Sequence, residues 1–238
     1  MEKKACLYEG KAKRIYETDK PGVLWVAYKD DATAFNGEKK DVLKGKGRLN
    51  NEISSLIFSS LAKKGIKSHF IERLSETEQL IRKVTIIPVE VVVRNVAAGS
   101  LVKRLGFQRG QAFDKPIVEF YYKDDELGDP LMNEEHIQAL KLASEDEVQS
   151  MKEKALAVNE QLIDIFNSID VQLIDFKLEF GRDASGNVLL ADEISPDTCR
   201  LWDKKTGESF DKDLFRFQQG NLQEGYETIF SRLGGQTQ

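Results

Sequence analysis

The sequence predicts an α+β fold, built either as one large domain or as two closely packed lobes. Strand-like runs dominate the first third of the chain, and the remainder mixes strands and helices without a steady β–α–β rhythm. The chain has 238 residues, of which 40% are hydrophobic, enough to bury a sizeable core. Pro88 interrupts a long β-branched run at 79–96, so we predict a strand break there and a boundary between lobes at 1–87 and 88–238.

The first lobe is predicted to hold a sheet and one helix. Residues 7–18 alternate in polarity about Gly10, which indicates two short strands around a turn, and another apolar run lies at 23–28. Apolar residues recur at helical spacing over 47–64, where a cationic last turn and a glycine mark the helix end. A further strand is predicted at 68–74.

The second lobe is predicted to contain a long helix at 144–167. Ser144 precedes it and Glu147 follows three residues later, the pattern of a capping box. Its other predicted elements are a short helix at 99–106, strands at 173–182 and 188–194, and a final helix at 222–233.

The charge balance argues against some classes of partner. The formal net charge is −5, with 35 basic residues spread among 40 acidic ones, so the chain has no general attraction to nucleic acid or to an anionic membrane. No apolar run approaches the roughly 18 residues that a membrane-spanning helix needs. The two cysteines, Cys6 and Cys199, are expected to be free thiols in a reducing, cytoplasmic setting. An anionic ligand must therefore meet a local basic cluster.

A predicted hairpin near the C-terminus concentrates charge on one face. Asp175, Lys177 and Glu179 alternate with apolar residues, so the three charged groups share a side of their strand. A turn at Ser185-Gly186 would set Glu179 opposite Asp192. Like charges directly opposite each other are unfavourable, and a divalent cation such as Mg²⁺ would compensate them. The alternative is a solvated hairpin face with a salt bridge.

Two further segments bring cations towards this face. A turn at 195–197 would hold Arg200 near the end of the acidic strand, either to bind phosphate or carboxylate or as a surface ion-pair partner. Upstream, Arg94 ends a strand and Ser100 begins a helix, whose N-terminus favours an anion. The alternative for that pair is a simple serine cap with a structural arginine.

The N-terminal turn and the remaining polar residues give weaker signals. Lys11 and Lys13 lie two apart beside the flexible Gly10 and could cover phosphates, or they could protect a solvated sheet edge. Asn36-Gly37 is compatible with an ordinary turn. His69 and His136 lack the spacing of metal ligands, so we assign them no chemistry.

Four segments together resemble the phosphoribosylaminoimidazole-succinocarboxamide (SAICAR) synthase family. They occur in the family's order, and four long matches are far more specific than any single glycine or carboxylate pattern. The segments are YEGKAKRIY at 8–16, PVEVVVRNVAAGS at 88–100, DFKLEFG at 175–181 and DEISPDTCRLWD at 192–203.

The resemblance implies a two-lobed α+β fold distantly similar to protein kinases, with ATP in the cleft between the lobes. It implies an ATP-dependent ligase of purine biosynthesis that uses Mg²⁺. The enzyme would join L-aspartate to 5-amino-1-(5-phosphoribosyl)imidazole-4-carboxylate through an acyl phosphate, giving SAICAR, ADP and phosphate. A cytoplasmic homodimer without nucleic-acid or membrane partners is expected.

Residue by residue, the resemblance implies four groups of contacts. Glu179 and Asp192 match the Mg²⁺-binding acids, in agreement with the hairpin argument. Asp175 and Lys177 are implied at the reacting groups, with Asp175 a possible proton acceptor. The implied ATP contacts are Lys11, Ala12, Lys13, Val84, Glu90 and Lys123, and the implied contacts of the imidazole nucleotide are Asn36, Arg94, Ser100, Lys177 and Arg200.

Other functions remain open at this point. A small-molecule kinase on a related two-lobed scaffold would share the lysines and the metal acids, but aspartate would not change its products. A non-catalytic nucleotide-binding module would tolerate loss of Glu179 or Asp192, and both acids are present. A purely structural domain leaves the clustered charged motifs unexplained.

Overall fold

The computed structural model describes residues 1–34 and 39–235, and it has the expected α+β class. The strands are β1 (Lys3–Glu9), β2 (Lys13–Thr18), β3 (Val23–Tyr28), β4 (Asp31–Ala34), β5 (Lys39–Val42), β6 (Phe70–Arg73), β7 (Glu78–Arg82), β8 (Thr85–Val96), β9 (Ala112–Tyr122), β10 (Leu131–Met132), β11 (Val171–Arg182), β12 (Val188–Ala191) and β13 (Cys199–Asp203). The helices are α1 (Lys46–Lys63), α2 (Ser100–Leu105), α3 (Glu134–Ala139), α4 (Glu145–Asn167), α5 (Asp213–Phe217) and α6 (Leu222–Arg232).

The first large sheet is antiparallel, in the order β1-β2-β3-β7-β6. The predicted hairpin about Gly10 is confirmed, because β1 and β2 pair there and the Gly10 N–H donates to the Lys13 carbonyl at 2.9 Å. One side of the sheet buries a small apolar cluster that includes Val26 and Ile81. The strands β4 and β5 form a separate two-stranded ribbon.

The second large sheet is also antiparallel and carries most of the core. Its order is β10-β9-β8-β11-β12, with β13 paired to the first part of β11. The helix α4 packs against β8, β11 and β12 on one face, where Val158 and Leu162 are fully buried. The helix α1 packs against β3, β6 and β7 of the first sheet, and its buried Leu49 and Ile53 belong to the same core cluster. The predicted capping box of α4 is confirmed, since Ser144 and Glu147 each bond the other's backbone N–H.

The strand break predicted at Pro88 is wrong. The break between β7 and β8 falls at residues 83–84, and Pro88 lies inside β8. The pairing of β8 with β11 jumps from Glu90–Glu179 to Ile86–Gly181, so the proline sits at a bulge where the ladder is already irregular. The Pro88 carbonyl still accepts a hydrogen bond from the Lys123 N–H at 3.1 Å.

No helix in the described ranges is long and apolar enough to span a membrane.

Candidate active site

A cleft between the two large sheets gathers almost all of the predicted site residues. It consists of two adjoining chambers of about 620 Å³ and about 350 Å³. Residues common to both chambers include Lys11, Ala12, Lys177, Asp192 and Glu193. The chambers are therefore parts of one cleft whose centre is strongly charged.

The larger chamber has an apolar end and a charged end. Its apolar wall comes from both large sheets and from the segment that joins β7 to β8; it is formed by Ile15, Leu24, Val26, Ile81, Val84 and Ile86. Val84 lies directly over Gly181, where an added Cβ would come within 2.6 Å of Val84 Cγ2. The apolar end has the character of a slot for a flat, uncharged ring.

At the charged end, two lysines and two glutamates form one network. Lys177 Nζ lies 2.7 Å from both Glu90 Oε1 and Glu179 Oε1, and Lys123 Nζ lies 2.6 Å from Glu179 Oε1. Glu90 and Glu179 are directly opposite each other on β8 and β11. Lys177 thus neutralises a like-charge pair that a plain sheet would disfavour.

Asp192 belongs to a second network that faces the first. Lys13 Nζ lies 2.7 Å from Asp192 Oδ1 and 3.1 Å from Glu193 Oε1. Burial opposes ionisation of Asp192, but the charges of Lys13, Lys177 and Lys123 outweigh it and hold the pKa of Asp192 well below its usual range. Burial alone would lower the pKa of Lys13, yet Asp192 and Glu193 raise it. Both groups are charged at neutral pH.

The predicted pairing of Glu179 with Asp192 is wrong by one residue. Glu179 pairs with Ala191, because the loop of the hairpin spans 183–187 rather than two residues. An uninterrupted strand would then turn Asp192 to the other face. Instead β12 ends at Ala191, and Asp192 adopts the left-handed φ of 58°. This change of direction lets both carboxylates line the larger chamber.

The smaller chamber is built around an arginine–aspartate–arginine row. Asp175 is directly opposite Arg94 on β8 and Arg200 on β13. Arg94 Nη1 donates to Asp175 Oδ2 at 2.8 Å, and Arg200 Nη1 donates to both carboxylate oxygens, at 2.9 and 3.1 Å. Glu119 and Asp213 hold the outer Nε atoms of the two arginines. The row fixes two forked cations side by side.

The rim of this chamber differs from the prediction at Ser100. Gly99, not Ser100, is the N-cap of α2, and no side chain among the described residues caps that helix. Ser100 Oγ instead accepts a hydrogen bond from Arg94 Nη2 at 3.3 Å. A Cβ on Gly99 would lie 2.6 Å from Arg200 Nη2, and the Gly99 φ of 57° also disfavours a side chain. The glycine makes room for the Arg200 guanidinium.

A buried cluster around Asp197 forms the back wall. Lys46 is 1% exposed, and its Nζ lies 2.6 Å from Asp197 Oδ2, while the Tyr226 hydroxyl donates to Oδ1. Burial opposes ionisation of Asp197, but Lys212 and Lys46 together hold its pKa well below the usual range. Burial lowers the pKa of Lys212, which lines the chamber with Arg216.

Three predicted residues stand apart from this arrangement, and one of them is Ser100, which lines neither chamber. Asn36 lies outside the described residues. Lys11 lines both chambers, but its Nζ pairs with the exposed Asp125 at 2.7 Å. The sequence reasoning missed Glu193, His69, Glu119, Lys46, Asp197, Lys212 and Arg216. Asp197 and Glu193 had a signal, since they lie within DEISPDTCRLWD, whereas Lys46 is brought in only by the packing of α1.

Within residues 1–34 and 39–235, no group of three or more histidine, cysteine or acidic side chains is arranged to hold a metal ion. Glu179 and Asp192 have lysine partners instead.

The fold and the cleft define an α+β protein with a charged site between two antiparallel sheets. The SAICAR synthetase family model matches residues 6–233. The chain is 68% identical to the phosphoribosylaminoimidazole-succinocarboxamide synthase of Shouchella clausii, over 99% of this chain and 98% of that protein. It is 65% identical to the enzyme of the same name from Bacillus subtilis, over 98% and 97% of the two chains.

Solved structures agree with the sequence relatives. The crystal structure of the synthase from Ehrlichia chaffeensis superposes with a TM-score of 0.95 at 46% identity, covering 98% of this chain and all of that one. A SAICAR synthetase in complex with ADP gives a TM-score of 0.94 at 50% identity, covering 97% and 98%. The chain therefore belongs to the SAICAR synthetase family, and the resemblance seen in its four motifs is confirmed.

Proposed function

We propose that this chain condenses L-aspartate with 5-amino-1-(5-phosphoribosyl)imidazole-4-carboxylate at the expense of ATP, giving SAICAR, ADP and phosphate in purine biosynthesis. The observation that carries the proposal is the joined cleft, in which an apolar slot leads through a lysine–carboxylate centre into an arginine-lined chamber. Two different ligands can thus meet at Lys177. The match to named synthases over nearly the whole chain gives the reaction.

ATP occupies the larger chamber. The adenine lies in the apolar slot beside Val84 and near Glu90, while the β2 hairpin with Lys11, Ala12 and Lys13 covers the phosphates. Lys123 contributes charge from the second sheet. The ADP complex of a 50% identical relative supports a nucleotide site in this fold. In this proposal residues 1–87 form the lobe over the phosphates, and residues 88–238 carry the remaining sites.

Mg²⁺ is held by Glu179 and Asp192. Both carboxylates line the charged end of the chamber, and hard cations prefer such oxygens together with phosphate oxygens. The fit requires Lys123, Lys177 and Lys13 to turn from the carboxylates towards phosphate, which their long side chains allow. When bound, the ion would neutralise charge on the transferring phosphoryl group.

The imidazole nucleotide occupies the smaller chamber. Arg94 and Arg200 offer adjacent planar forks suited to its phosphate, and Ser100 lies at the same rim. Asn36 is proposed at this ligand on the family resemblance alone. Lys212 and Arg216 add two cations at the other side of the chamber, where the carboxylates of L-aspartate need partners.

The reaction then proceeds in two displacements. A carboxylate oxygen of the imidazole attacks the γ-phosphorus, and ADP leaves. The aspartate amine next attacks the carboxyl carbon, loses a proton, and expels phosphate. Lys177 lies between the two chambers and can balance charge in both steps. Asp175 remains the candidate proton acceptor, although its two arginine partners favour a role in holding the nucleotide.

The expected setting is a cytoplasmic homodimer that acts on small molecules and has no nucleic-acid or membrane partner. The ADP complex of the relative supports the small-molecule part of this proposal. The homodimer and the location rest on the family resemblance.

The test is ADP release by the purified protein with ATP, Mg²⁺ and the carboxylated imidazole nucleotide, with and without L-aspartate. Aspartate-dependent formation of the succinocarboxamide, in a one-to-one ratio with ADP, is the expected result. ADP release with a stable phosphorylated product, unaffected by aspartate, would identify a small-molecule kinase. No ADP under any condition would leave a binding module.

A further inference from the structure

His69 holds the segment that carries Asp192, and we propose that it is a positioning residue for metal-dependent nucleotide binding. The inference rests on the proposed function, because it assumes that Asp192 is a metal ligand. His69 itself lies in the wall of the larger chamber and is 4% exposed. It acts through the backbone of Asp192 and not by touching the reacting atoms.

The first observation is the backbone of Asp192. Its φ of 58° is the left-handed conformation, which a residue with a side chain rarely adopts without help from its surroundings. This conformation redirects the carboxylate into the chamber after β12 has ended. Whatever fixes the Asp192 peptide therefore fixes the position of the carboxylate.

The second observation is the contact that His69 makes there. His69 Nε2 lies 3.0 Å from the Asp192 carbonyl oxygen. A carbonyl only accepts hydrogen bonds, so Nε2 carries the proton and donates it. The other ring nitrogen, Nδ1, is buried and has no hydrogen-bond partner among the described residues. The edge of the ring packs against Phe58 at a centroid distance of 5.7 Å, which limits its rotation.

The third observation is that His69 makes two hydrogen bonds to the segment 190–192, one from its ring and one from its backbone. Its backbone N–H donates to the Leu190 carbonyl at 2.8 Å, two residues before the ring contact. Its own carbonyl accepts from the Arg82 N–H at 2.6 Å. His69 thus connects β7 of the first sheet with Leu190 in β12 and with Asp192 just after it, beside the chamber in which nucleotide and metal would bind.

The consequence is a specific loss when the donor is removed. Outer partners of metal ligands typically change metal affinity by about 10- to 100-fold. Without the Nε2–H donor, the Asp192 peptide can leave the left-handed conformation and its carboxylate can turn out of the chamber. Nucleotide affinity should then lose its dependence on the metal, while binding through the apolar slot is retained.

The experiment is calorimetric titration of the full-length protein with ADP, once in excess Mg²⁺ and once in EDTA. His69→Leu and His69→Met each fill the site without a donor, and either one suffices if the other does not fold. His69→Gln keeps an N–H near the position of Nε2. His136→Leu is the matched control, because His136 belongs to the capping box of α3 and lines neither chamber. Asp192→Asn tests the metal assignment itself.

We expect the apolar variants to lose about tenfold or more of the Mg²⁺-dependent gain in ADP affinity. In EDTA any loss of ADP affinity should be much smaller than the loss in excess Mg²⁺, and His69→Gln should recover most of the gain. Equal losses in Mg²⁺ and EDTA, or no recovery with glutamine, would overturn the positioning role. If Asp192→Asn abolishes the gain and the apolar variants keep it, His69 alone is misassigned. If wild type shows no gain, both the metal assignment and this inference fail.

Discussion

Gly181→Ala tests the adenine slot with a single added methyl group. The new Cβ would lie 2.6 Å from Val84 Cγ2, 2.9 Å from Val84 Cβ and 3.1 Å from the Thr85 carbonyl oxygen. Carbon atoms pack at about 3.5–4.0 Å, so the Val84 side chain must move by about 1 Å. Val84 lines the chamber and Gly181 does not, so a Val84 side chain displaced away from Gly181 is expected to narrow the slot. The φ of Gly181 is compatible with alanine.

The magnitude follows from the cost of overpacking. An extra methylene in a packed site costs about 1–3 kcal/mol. If the Val84 side chain relieves this strain by moving into the slot, bound adenine would force it back. The same cost would then be subtracted from the free energy of ADP binding. Since 1.4 kcal/mol corresponds to tenfold in affinity, ADP should bind about 5- to 140-fold more weakly. The imidazole nucleotide binds in the other chamber and should be unaffected.

Calorimetry with each ligand measures both affinities, and a melting curve confirms that the variant is folded. Val84→Gly removes both contacting carbons, so the effect of Gly181→Ala should shrink in that background. Unchanged ADP affinity in a folded Gly181→Ala protein would refute the placement of the adenine beside Val84. An equal loss for the imidazole nucleotide would point to a general disturbance of β11.

Glu179→Gln and Asp192→Asn each remove a charge with little change of shape. Both variants should still fold and should lose turnover, and high residual activity in excess Mg²⁺ would contradict the metal assignment. Arg94→Ala should weaken the imidazole nucleotide far more than ATP in binding titrations, and equal weakening would contradict its role. Glu147→Gln should lower the free energy of unfolding by about 1 kcal/mol at pH 7. The hydrogen bond from Arg182 lowers the pKa of Glu147 from 4.5 to about 2, so this contribution is complete above pH 4.5 and declines as the pH falls towards 2. A difference in urea unfolding that stays constant from pH 7 to pH 3 would contradict that origin.

Sequence patterns correctly predicted the secondary-structure elements that depend only on residues close together in the sequence. The capping box at Ser144 and the helix that follows need only neighbouring residues, and the structure has both. The strand β9 was missed because it carries Pro116 and lacks a clear alternation. That omission hid Glu119, which holds Arg94 from the adjacent strand. A contact between strands that are distant in sequence depends on sheet order, which periodicity does not give.

The hairpin shows how one local error propagates. A two-residue turn was the simplest choice at Ser185-Gly186, but Asp183 and Asn187 close a longer loop. The register then moves by one residue, and a strict strand would have separated the carboxylates of Glu179 and Asp192. The left-handed φ of Asp192 restores their common face. Sequence periodicity assumes extended backbone and cannot anticipate such a change of direction.

The cleft reconciles an acidic protein with three anionic ligands. Its cations are held in advance by carboxylates: Lys13 by Asp192 and Glu193, and Lys177 by Glu90 and Glu179. The opposite charges of each pair largely cancel at a distance, so the cleft attracts anions in general only weakly. Under the proposed function ATP would exchange these partners: its phosphates would take the lysines, and the released carboxylates would be free to hold Mg²⁺. Either exchange alone would leave buried charge uncompensated, and this couples the nucleotide to the metal.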